Sequence, residues 1–345
     1  MDDRLPVRRP TLKDIAEALG TSPSTVSRAL RGSSRISERV RTEVQAEARR
    51  IGYEVDLAGS LLRTSRPQHV GLLARLDQEL HHRYYQELLR LSIDQDYAIV
   101  VQSVDRADDP ARAARALEQM RCGVVIVIDP ASCREAVARL NGIPLVGVSQ
   151  VIGDWSGDTV TSANGSGMSE LIDHLVGLGH KRVCFLDGPP GVSSDARREA
   201  LLAAAERRCV EVEVVRAGAD VQAGYSTTAK ALQRWYPVSW SDSAPTALLG
   251  YNDQCAEGAY VALLKAGLRP GQDMSLAGCD NSRTGASEAF DLTTLNREPA
   301  RVAELALNTA LRRLVEPDGA RGVAEHHVVD TVLIPRTSTS RVRTA

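Results

Sequence analysis

The sequence predicts an α/β chain in which a helix-turn-helix unit of three helices precedes two doubly wound parallel-sheet subdomains. Three observations carry this expectation. Apolar residues recur at helical spacing between cap signals from Thr11 to Ile51; beyond Pro67 short apolar runs alternate with amphipathic segments; and a second such series begins at Thr159.

Thr11 and Asp14 have the spacing of a capping box, so the first helix is predicted to begin at Leu12. Leu12, Ile15, Ala16 and Leu19 fall on one face, and Gly20 stands where a left-handed residue would end the helix. Ser22 caps the second helix, with Pro23 in its first turn, where no amide hydrogen is needed. Val26 and Leu30 are its apolar residues, which leaves Pro23, Ser24, Ser27 and Arg28 facing outward. A helix-turn-helix places the start of its second helix in the DNA major groove, where short polar side chains and arginine reach base edges. An ordinary helical hairpin fits the same spacing. Residues 31–36 have loop composition, and Ser37 caps a third helix carrying Val40, Val44, Ala48 and Ile51; Gly52 and Tyr53 close the unit. Arg4, Arg8 and Arg9 lie in a proline-punctuated arm ahead of it, suited to phosphate contact.

The runs Thr11-Leu-Lys-Asp-Ile-Ala16 and Ser24-Thr-Val-Ser-Arg-Ala-Leu30 resemble, nearly residue for residue, the DNA-binding headpiece of the lactose-repressor and galactose-repressor (LacI) family. The resemblance implies that Pro23, Ser24 and Arg28 read bases, while Thr11, Thr25 and Ser27 contact phosphate or backbone beside the capping Ser22. Arg28 has two readings: two hydrogen bonds to guanine, worth about 1 to 3 kcal/mol of discrimination, or a phosphate contact. Residues 54–66 continue the pattern as a linker that, in the resembled family, folds into a hinge helix on operator DNA. Two hinge helices pair at the dimer axis there, and each wedges a leucine into the minor groove. Leu62 matches that leucine by position, with Leu61 second. Val55 stands where the pattern has Pro, Asp56 where it has Asn and Gly59 where it has Ala. Glycine costs about 1 kcal/mol of helix propensity relative to alanine, so a plain linker is the alternative.

Beyond Pro67, Val70–Leu73, Ala98–Val101, Val124–Ile128 and Pro144–Val148 read as strands, with helices near Tyr84–Gln95, Pro110–Met120 and Ser132–Leu140 between them. The second series places strands near Arg182–Leu186, Val212–Val215, Ala247–Gly250 and Met274–Ala277. Two such sheets side by side make a cleft, and ligands of doubly wound folds bind at the carboxyl ends of the strands. The core resembles the ligand-binding part of the same family, which is periplasmic-binding-protein-like. Asn164, His174–Val183, Pro245-Thr-Ala247, Asn252-Asp253, Gly278-Cys-Asp280 and Leu292-Thr-Thr-Leu295 carry that resemblance. It implies that Leu292–Glu298 crosses back to the first subdomain, that Pro299–Val315 is a helix packed on it, and that Val328–Ile334 is the last strand.

The resemblance also implies effector contacts at Arg197, Asn252 and Asp280, an arginine fork, an amide and a carboxylate that together serve the hydroxyls of a sugar-like ligand. Arg198 competes with Arg197 for that role, Asn252-Asp253 also fits a helix cap and Asp280 a turn. The cleft departs from the family pattern. His81-His-Arg-Tyr-Tyr85 replaces Asn-Pro-Phe-Phe, Ser149-Gln150 replaces Asp-Arg, Ala163 replaces Asp, and no aromatic stands near Ala219. Tyr84, Tyr85 and Tyr251 are the candidate substitutes, and Tyr84 joins the expected effector contacts.

Charge supports this division. The 345 residues carry a formal net charge of -2, but residues 1–66 hold 13 Lys and Arg against 9 Asp and Glu, which leaves the remainder net acidic. The six cysteines are scattered without zinc-ligand spacing and read as buried thiols, and adjacent His81-His82 and His326-His327 point different ways on a regular element. No metal or cofactor is expected. Gly165-Ser-Gly167 opens a helix after a strand, yet Glu170 stands where a dinucleotide fingerprint needs its third glycine, and neither P-loop nor nucleophile elbow is present. No apolar run approaches the roughly 20 residues of a membrane helix, and the amino terminus is charged.

The expected organisation is a headpiece at 1–53, a hinge or linker at 54–67, one core subdomain from 68–161 with 296–326, a second from 162–295 with 327–337, and a tail at 338–345. The expected function is that of a dimeric, sequence-specific transcriptional regulator of the repressor type, not an enzyme. It binds palindromic double-stranded operator DNA in the cytoplasm, at the nucleoid, and answers to a small polar effector without membrane attachment. An activator, or a regulator whose cleft no longer takes a ligand, is the regulatory alternative; an enzyme fused to a headpiece is the other class.

Overall fold

The structure is a computed structural model that describes residues 10–30, 36–53, 69–95, 97–104, 110–150, 153–235, 244–316 and 322–342. The expected hinge with Leu61 and Leu62, and the arm with Arg8 and Arg9, lie outside the described residues. The chain divides into two compact units at Arg66 and Pro67.

The first unit holds α1 (Leu12–Ala18), α2 (Pro23–Leu30) and α3 (Glu38–Ile51). The Asp14 carboxylate accepts from the Thr11 amide at 2.6 Å and from its hydroxyl at 2.7 Å, so the capping box forms where the spacing put it. Gly20 and Gly52 adopt φ of 61° and 67°, left-handed values that end α1 and α3 without the penalty a Cβ would bring. Ser22 accepts from the Thr25 amide at 3.1 Å and caps α2, whereas Ser37 sits at the cap of α3 with no side-chain bond. Ile15, Ala16, Val26, Ala29, Val44 and Ala48 make the core. Leu30, expected inside with Val26, is only partly buried; Ala29 takes the inner position, three residues after Val26, because it is small enough to sit between helices.

In the second unit the chain runs β1 (His69–Ala74), α4 (Glu79–Asp94), β2 (Ala98–Ser103), α5 (Pro110–Gln119), β3 (Cys122–Ile128), α6 (Arg134–Val137), β4 (Leu145–Val148) and β5 (Asp158–Ser162). It continues through α7 (Gly165–Gly177), β6 (Arg182–Asp187), α8 (Val192–Arg207), β7 (Glu211–Arg216), α9 (Val221–Trp235), β8 (Ala247–Gly250), α10 (Asp253–Lys265), β9 (Ser275–Cys279) and β10 (Thr293–Asn296). It closes with α11 (Pro299–Val315), β11 (His326–Val329) and β12 (Val332–Ile334). The strands form two sheets, ordered β11-β5-β4-β3-β1-β2 and β12-β10-β9-β8-β6-β7, parallel throughout except where β12 meets β10.

Alternation along the strands loads both faces of each sheet. Val70, Leu72 and Ala74 pack under α4 and α11, while Leu73 turns to the cluster with α5 and α6. In the other sheet Val183 and Phe185 meet α7 and α8, while Cys184 and Leu186 meet α9 and α10.

Four expectations about elements change. The helix after β1 starts at Glu79, five residues before Tyr84, so the whole His81–Tyr85 segment is helical. Asp158–Ser162 pairs with β4 and β11, which puts Thr159 in the first sheet instead of at the head of the second series. The last apolar stretch is two strands: His326–Val329 runs parallel to β5, and Val332–Ile334 runs antiparallel to β10. The crossing therefore falls at Asp330-Thr331, where the Thr331 hydroxyl donates to the Ala163 carbonyl at 3.1 Å. The start of the segment expected as a tail is bound in at Ser338: the Leu276 amide donates to the Ser338 carbonyl at 2.7 Å, the Ser338 hydroxyl to the Leu276 carbonyl at 2.6 Å, and the Thr293 amide to that hydroxyl at 2.7 Å. Short hydroxyl side chains satisfy backbone groups there without needing apolar anchors. Of the cysteines, Cys209 is exposed in a turn and the other five are buried.

Three crossovers join the sheets, at 163–164, 297–298 and 330–331. The Arg297 guanidinium donates to Asn164 Oδ1 at 2.6 Å and to the Ser162 carbonyl at 3.3 Å, and the Ser162 hydroxyl donates to the Arg297 carbonyl at 2.9 Å. A Cβ on Gly167 would lie 2.1 Å from Thr331 Oγ1. The glycine of Gly165-Ser-Gly167 thus admits the third crossover against α7, a packing reason that does not involve a nucleotide.

Candidate functional site

The second helix of the first unit presents an exposed polar face. Ser22, Pro23, Ser24 and Arg28 are exposed and Thr25 and Ser27 half-buried, while Val26 and Ala29 point into the core. Thr11 is exposed at the start of α1. Ser22 and Thr11 both have capping duties, which fixes the two helix starts relative to the turn. Arg28 Nε donates to the Ser24 carbonyl at 3.2 Å, one turn back. In the same unit Lys13, Arg39, Arg41 and Arg50 are each paired with a glutamate, whereas Arg28 makes no ion pair among the described residues. A guanidinium laid along the exposed face of α2 with no carboxylate partner is chemically ready for a base edge or a phosphate.

In the second unit a cleft of about 720 Å³ opens at the carboxyl ends of the strands of both sheets. Arg75, Asp77 and Gln78 follow β1, Asp129 and Ser132 follow β3, and Ser149 follows β4. From the other sheet come Pro189–Ser194 after β6, Ala217–Asp220 after β7, Tyr251 and Asn252 after β8, and Asp280 after β9. Arg297, just past β10, completes the wall.

Three of the four expected effector residues meet here: Arg197, Asn252 and Asp280. Arg197 lies on α8 with its guanidinium carbon 4.4 Å from the centre of the Tyr251 ring, donates to the Tyr251 carbonyl and stands 3.9 Å from Asp280 Oδ1. Arg198 is bound to Asp187 at 2.7 Å and to Asp195 at 2.6 Å, so Arg197 is the arginine that lines the cleft. Asn252 is both a cap and a cleft residue: its Oδ1 accepts from the Cys255 amide at 2.9 Å, and its Nδ2 donates to Gln78 Oε1 at 3.1 Å and the Ala219 carbonyl at 2.9 Å. Asp280 adopts φ of 114°, and Arg83 from α4 donates to its carbonyl at 2.8 Å and to that of Asn281 at 2.6 Å.

Tyr84 is a correction. It is 1% exposed, packs in the core under the first sheet with Leu80 and Leu88, and does not line the cleft. The i, i+4, i+8 spacing of Leu80, Tyr84 and Leu88 is the signal for that buried face. Tyr85 packs against the same core, and Tyr251 is the aromatic that lines the cleft. His81 also lines it, with Nδ1 3.1 Å from the Arg75 carbonyl. Sequence reasoning missed Arg75, Asp129, Asp220 and Arg297. Each directly follows a strand or a strand loop, which is the position the parallel-sheet rule marks.

Burial governs the electrostatics beside the cleft. Asp253, the first residue of α10, accepts from the Ser282 amide at 2.5 Å and the Thr294 hydroxyl at 2.6 Å, yet burial and the nearby Asp280 push its carboxyl up to about 7. Burial also raises Asp280, against the pull of Arg197 and Arg297. Among the described residues no group of three His, Cys, Asp or Glu is placed to hold a metal, and no helix is long and apolar enough to cross a membrane.

Comparison with known proteins gives two family matches. Residues 11–56 match the lacI family of bacterial regulatory proteins, and residues 172–339 match the periplasmic binding protein-like domain. The lactose operon repressor of Escherichia coli K12 is 26% identical over 338 residues, which cover 95% of this chain and 90% of that protein. The HTH-type transcriptional regulator GalS of Salmonella typhimurium is 26% identical over 314 residues, covering 88% and 89%. Among solved structures, the lac repressor dimer bound to operator and the anti-inducer ONPF superposes with a TM-score of 0.80 at 23% identity, over 96% of this chain and all of that one.

Proposed function

Because the chain belongs to the lacI family of bacterial regulatory proteins, a family of DNA-binding transcriptional regulators, we propose that it represses transcription as a homodimer on a palindromic operator, under control of a small polar effector in the core cleft. The observation that carries this reading is the exposed Pro23, Ser24 and Arg28 face of a capped helix-turn-helix, in a chain that also holds a 720 Å³ polar cleft. Pro23, Ser24 and Arg28 read bases, with Thr11, Ser22, Thr25 and Ser27 on the phosphate flanks. Leu62 serves as the minor-groove wedge, and Arg197, Asn252 and Asp280 hold the effector. Residues 54–67 link the headpiece at 1–53 to the core. The relative crystallised on operator is a dimer, which supports the homodimer here.

The mechanism is linkage. An effector that prefers one arrangement of the two sheets shifts the population between dimers that do and do not hold operator. Arg83 and Gln78 already bridge the sheets to Asp280, Asn281 and Asn252, so ligand contacts at Asp280 and Asn252 bear on those bridges directly. The protein acts without catalysis, in the cytoplasm where its operator lies. Selection of bound duplexes from a random pool by the full chain, followed by titration of polar metabolites against the selected duplex, tests the reading. An inverted-repeat consensus whose affinity changes with at least one metabolite is the expected result; a repeat-free pool contradicts the operator, and an affinity unmoved by every metabolite contradicts the effector.

A further inference from the structure

We infer that the effector is an oxyanion, a polyhydroxylated acid whose carboxylate or phosphoryl group is held by Arg197 and Arg297, and not a neutral sugar. The inference rests on the reading that the cleft takes an effector, and it names the chemical class. Arg197 and Arg297 are 5% and 3% exposed, and both line the cleft. Each buried guanidinium needs a counter-charge, since removing a charge from water is costly unless it is paired. Only Asp280 faces both, and it stands 3.9 Å from Arg197, too far for a hydrogen bond; Arg297 makes no ion pair among the described residues. Its two acceptors among the described residues, Asn164 Oδ1 and the Ser162 carbonyl, are neutral. Two guanidiniums and one carboxylate leave the floor of the cleft with one positive charge in excess.

Unsatisfied hydrogen-bonding atoms point the same way. Among cleft residues, Arg75 Nε, Arg197 Nε, Arg297 Nε and Asp280 Oδ1 are buried without a partner, three donors to one acceptor. Such a surface is completed by a group rich in acceptors, and a carboxylate or phosphoryl group supplies them with the matching charge. Of the other acids that line the cleft, Asp77 pairs with Arg75, while Asp129 accepts from the Ser132 hydroxyl and Asp220 from the Ala223 amide at 2.7 Å and both keep their charge, so the positive excess is local to Arg197 and Arg297. Asp129 and Asp220 suit hydroxyl donors, which places the polyol end of the ligand there and its anionic end at the arginines. Tyr251, the aromatic of the wall, has Arg197 over its ring, so that face is not open to stack on a sugar.

Calorimetric titration of the full chain with matched compounds tests this: galactose, galacturonate and galactose 6-phosphate, and glucose, glucuronate, gluconate and glucose 6-phosphate. At least one acid is expected to bind about tenfold or more tightly than its neutral parent, the gain of a charge-assisted pair. Preference for the carboxylates or for the phosphates identifies which oxyanion is meant. Arg297→Gln, checked for native unfolding, is expected to lower affinity for that acid about tenfold more than it lowers affinity for the neutral parent, and Arg297→Lys to restore part of the preference. Binding of the neutral sugars with no acid tighter than its neutral parent overturns the inference and leaves the effector reading standing. Equal losses for acid and neutral sugar in Arg297→Gln also overturn it. If no compound binds and none moves operator affinity, both the inference and the effector reading fail.

Discussion

The Arg297 guanidinium holds Asn164 Oδ1 at 2.6 Å, so the second crossover of the core grips the first. With the Ser162 hydroxyl on the Arg297 carbonyl and the Thr331 hydroxyl on the Ala163 carbonyl, all three crossovers are laced into one knot behind the cleft. Asn164→Ala removes the shortest of these bonds and takes from a buried cation one of its neutral acceptors. Hydrogen bonds to charged groups contribute about 1.5 to 3 kcal/mol, and a loss of that size is expected in urea unfolding of the variant.

The third crossover is tested by shape. Gly167→Ala drives a Cβ to 2.1 Å from Thr331 Oγ1 and is expected to destabilise the core by about 1 to 3 kcal/mol. Thr331→Ala in the same chain removes the clashing oxygen, so the double variant is expected to unfold later than the sum of the two single losses implies.

How far the sequence carried depends on whether a signal is local. The capping box at Thr11 and Asp14 and the cap at Ser22 were legible because caps act within one or two turns, whereas the helix Pro299–Val315 was implied by the family resemblance. Tyr84 was misread because the resemblance drew attention to its position, while its spacing with Leu80 and Leu88 already put it in the core. Arg297 follows β10 at a position the parallel-sheet rule marks, but the sequence analysis read Leu292–Glu298 only as a crossover. Its partners Asn164 and Ser162 lie more than 130 positions away in sequence, so its burial and its bonds were not legible locally. The division of 326–334 between two sheets escaped for the same reason: both halves are apolar, and only pairing partners from distant strands separate them.

A pH dependence follows from Asp253. The folded chain holds this proton up to about pH 7, against the ordinary 3.8, so it binds it more tightly than the unfolded chain does. Stability contributed by the protonated group is therefore present at low pH, falls between about pH 4 and 7, and is flat above, for a total on the order of 4 kcal/mol. Asp253→Asn keeps an oxygen for the Ser282 amide and carries no titrating charge. Its unfolding midpoint is expected to lose that slope; the same slope in both proteins would assign it to another group.

The buried pair of Arg313 and Asp158, 2.7 Å apart, holds α11 to β5 and also anchors the Glu325 amide to Asp158 at 2.8 Å. Asp158→Asn leaves the buried Arg313 with Glu316 as its one carboxylate partner among the described residues and is expected to cost about 3 to 5 kcal/mol in chemical unfolding.

The reading of the whole chain turns on the exposed face of α2, and operator binding by Arg28→Ala tests it most directly. In fluorescence anisotropy on the duplex selected by the parent protein, with an unrelated duplex alongside at the same salt, the variant is expected to lose about tenfold or more in affinity for the selected duplex. Its binding to the unrelated duplex should change little, since Arg28 then carries base readout. Equal affinity of parent and variant for the selected duplex would contradict the assignment of α2 as the helix that reads DNA.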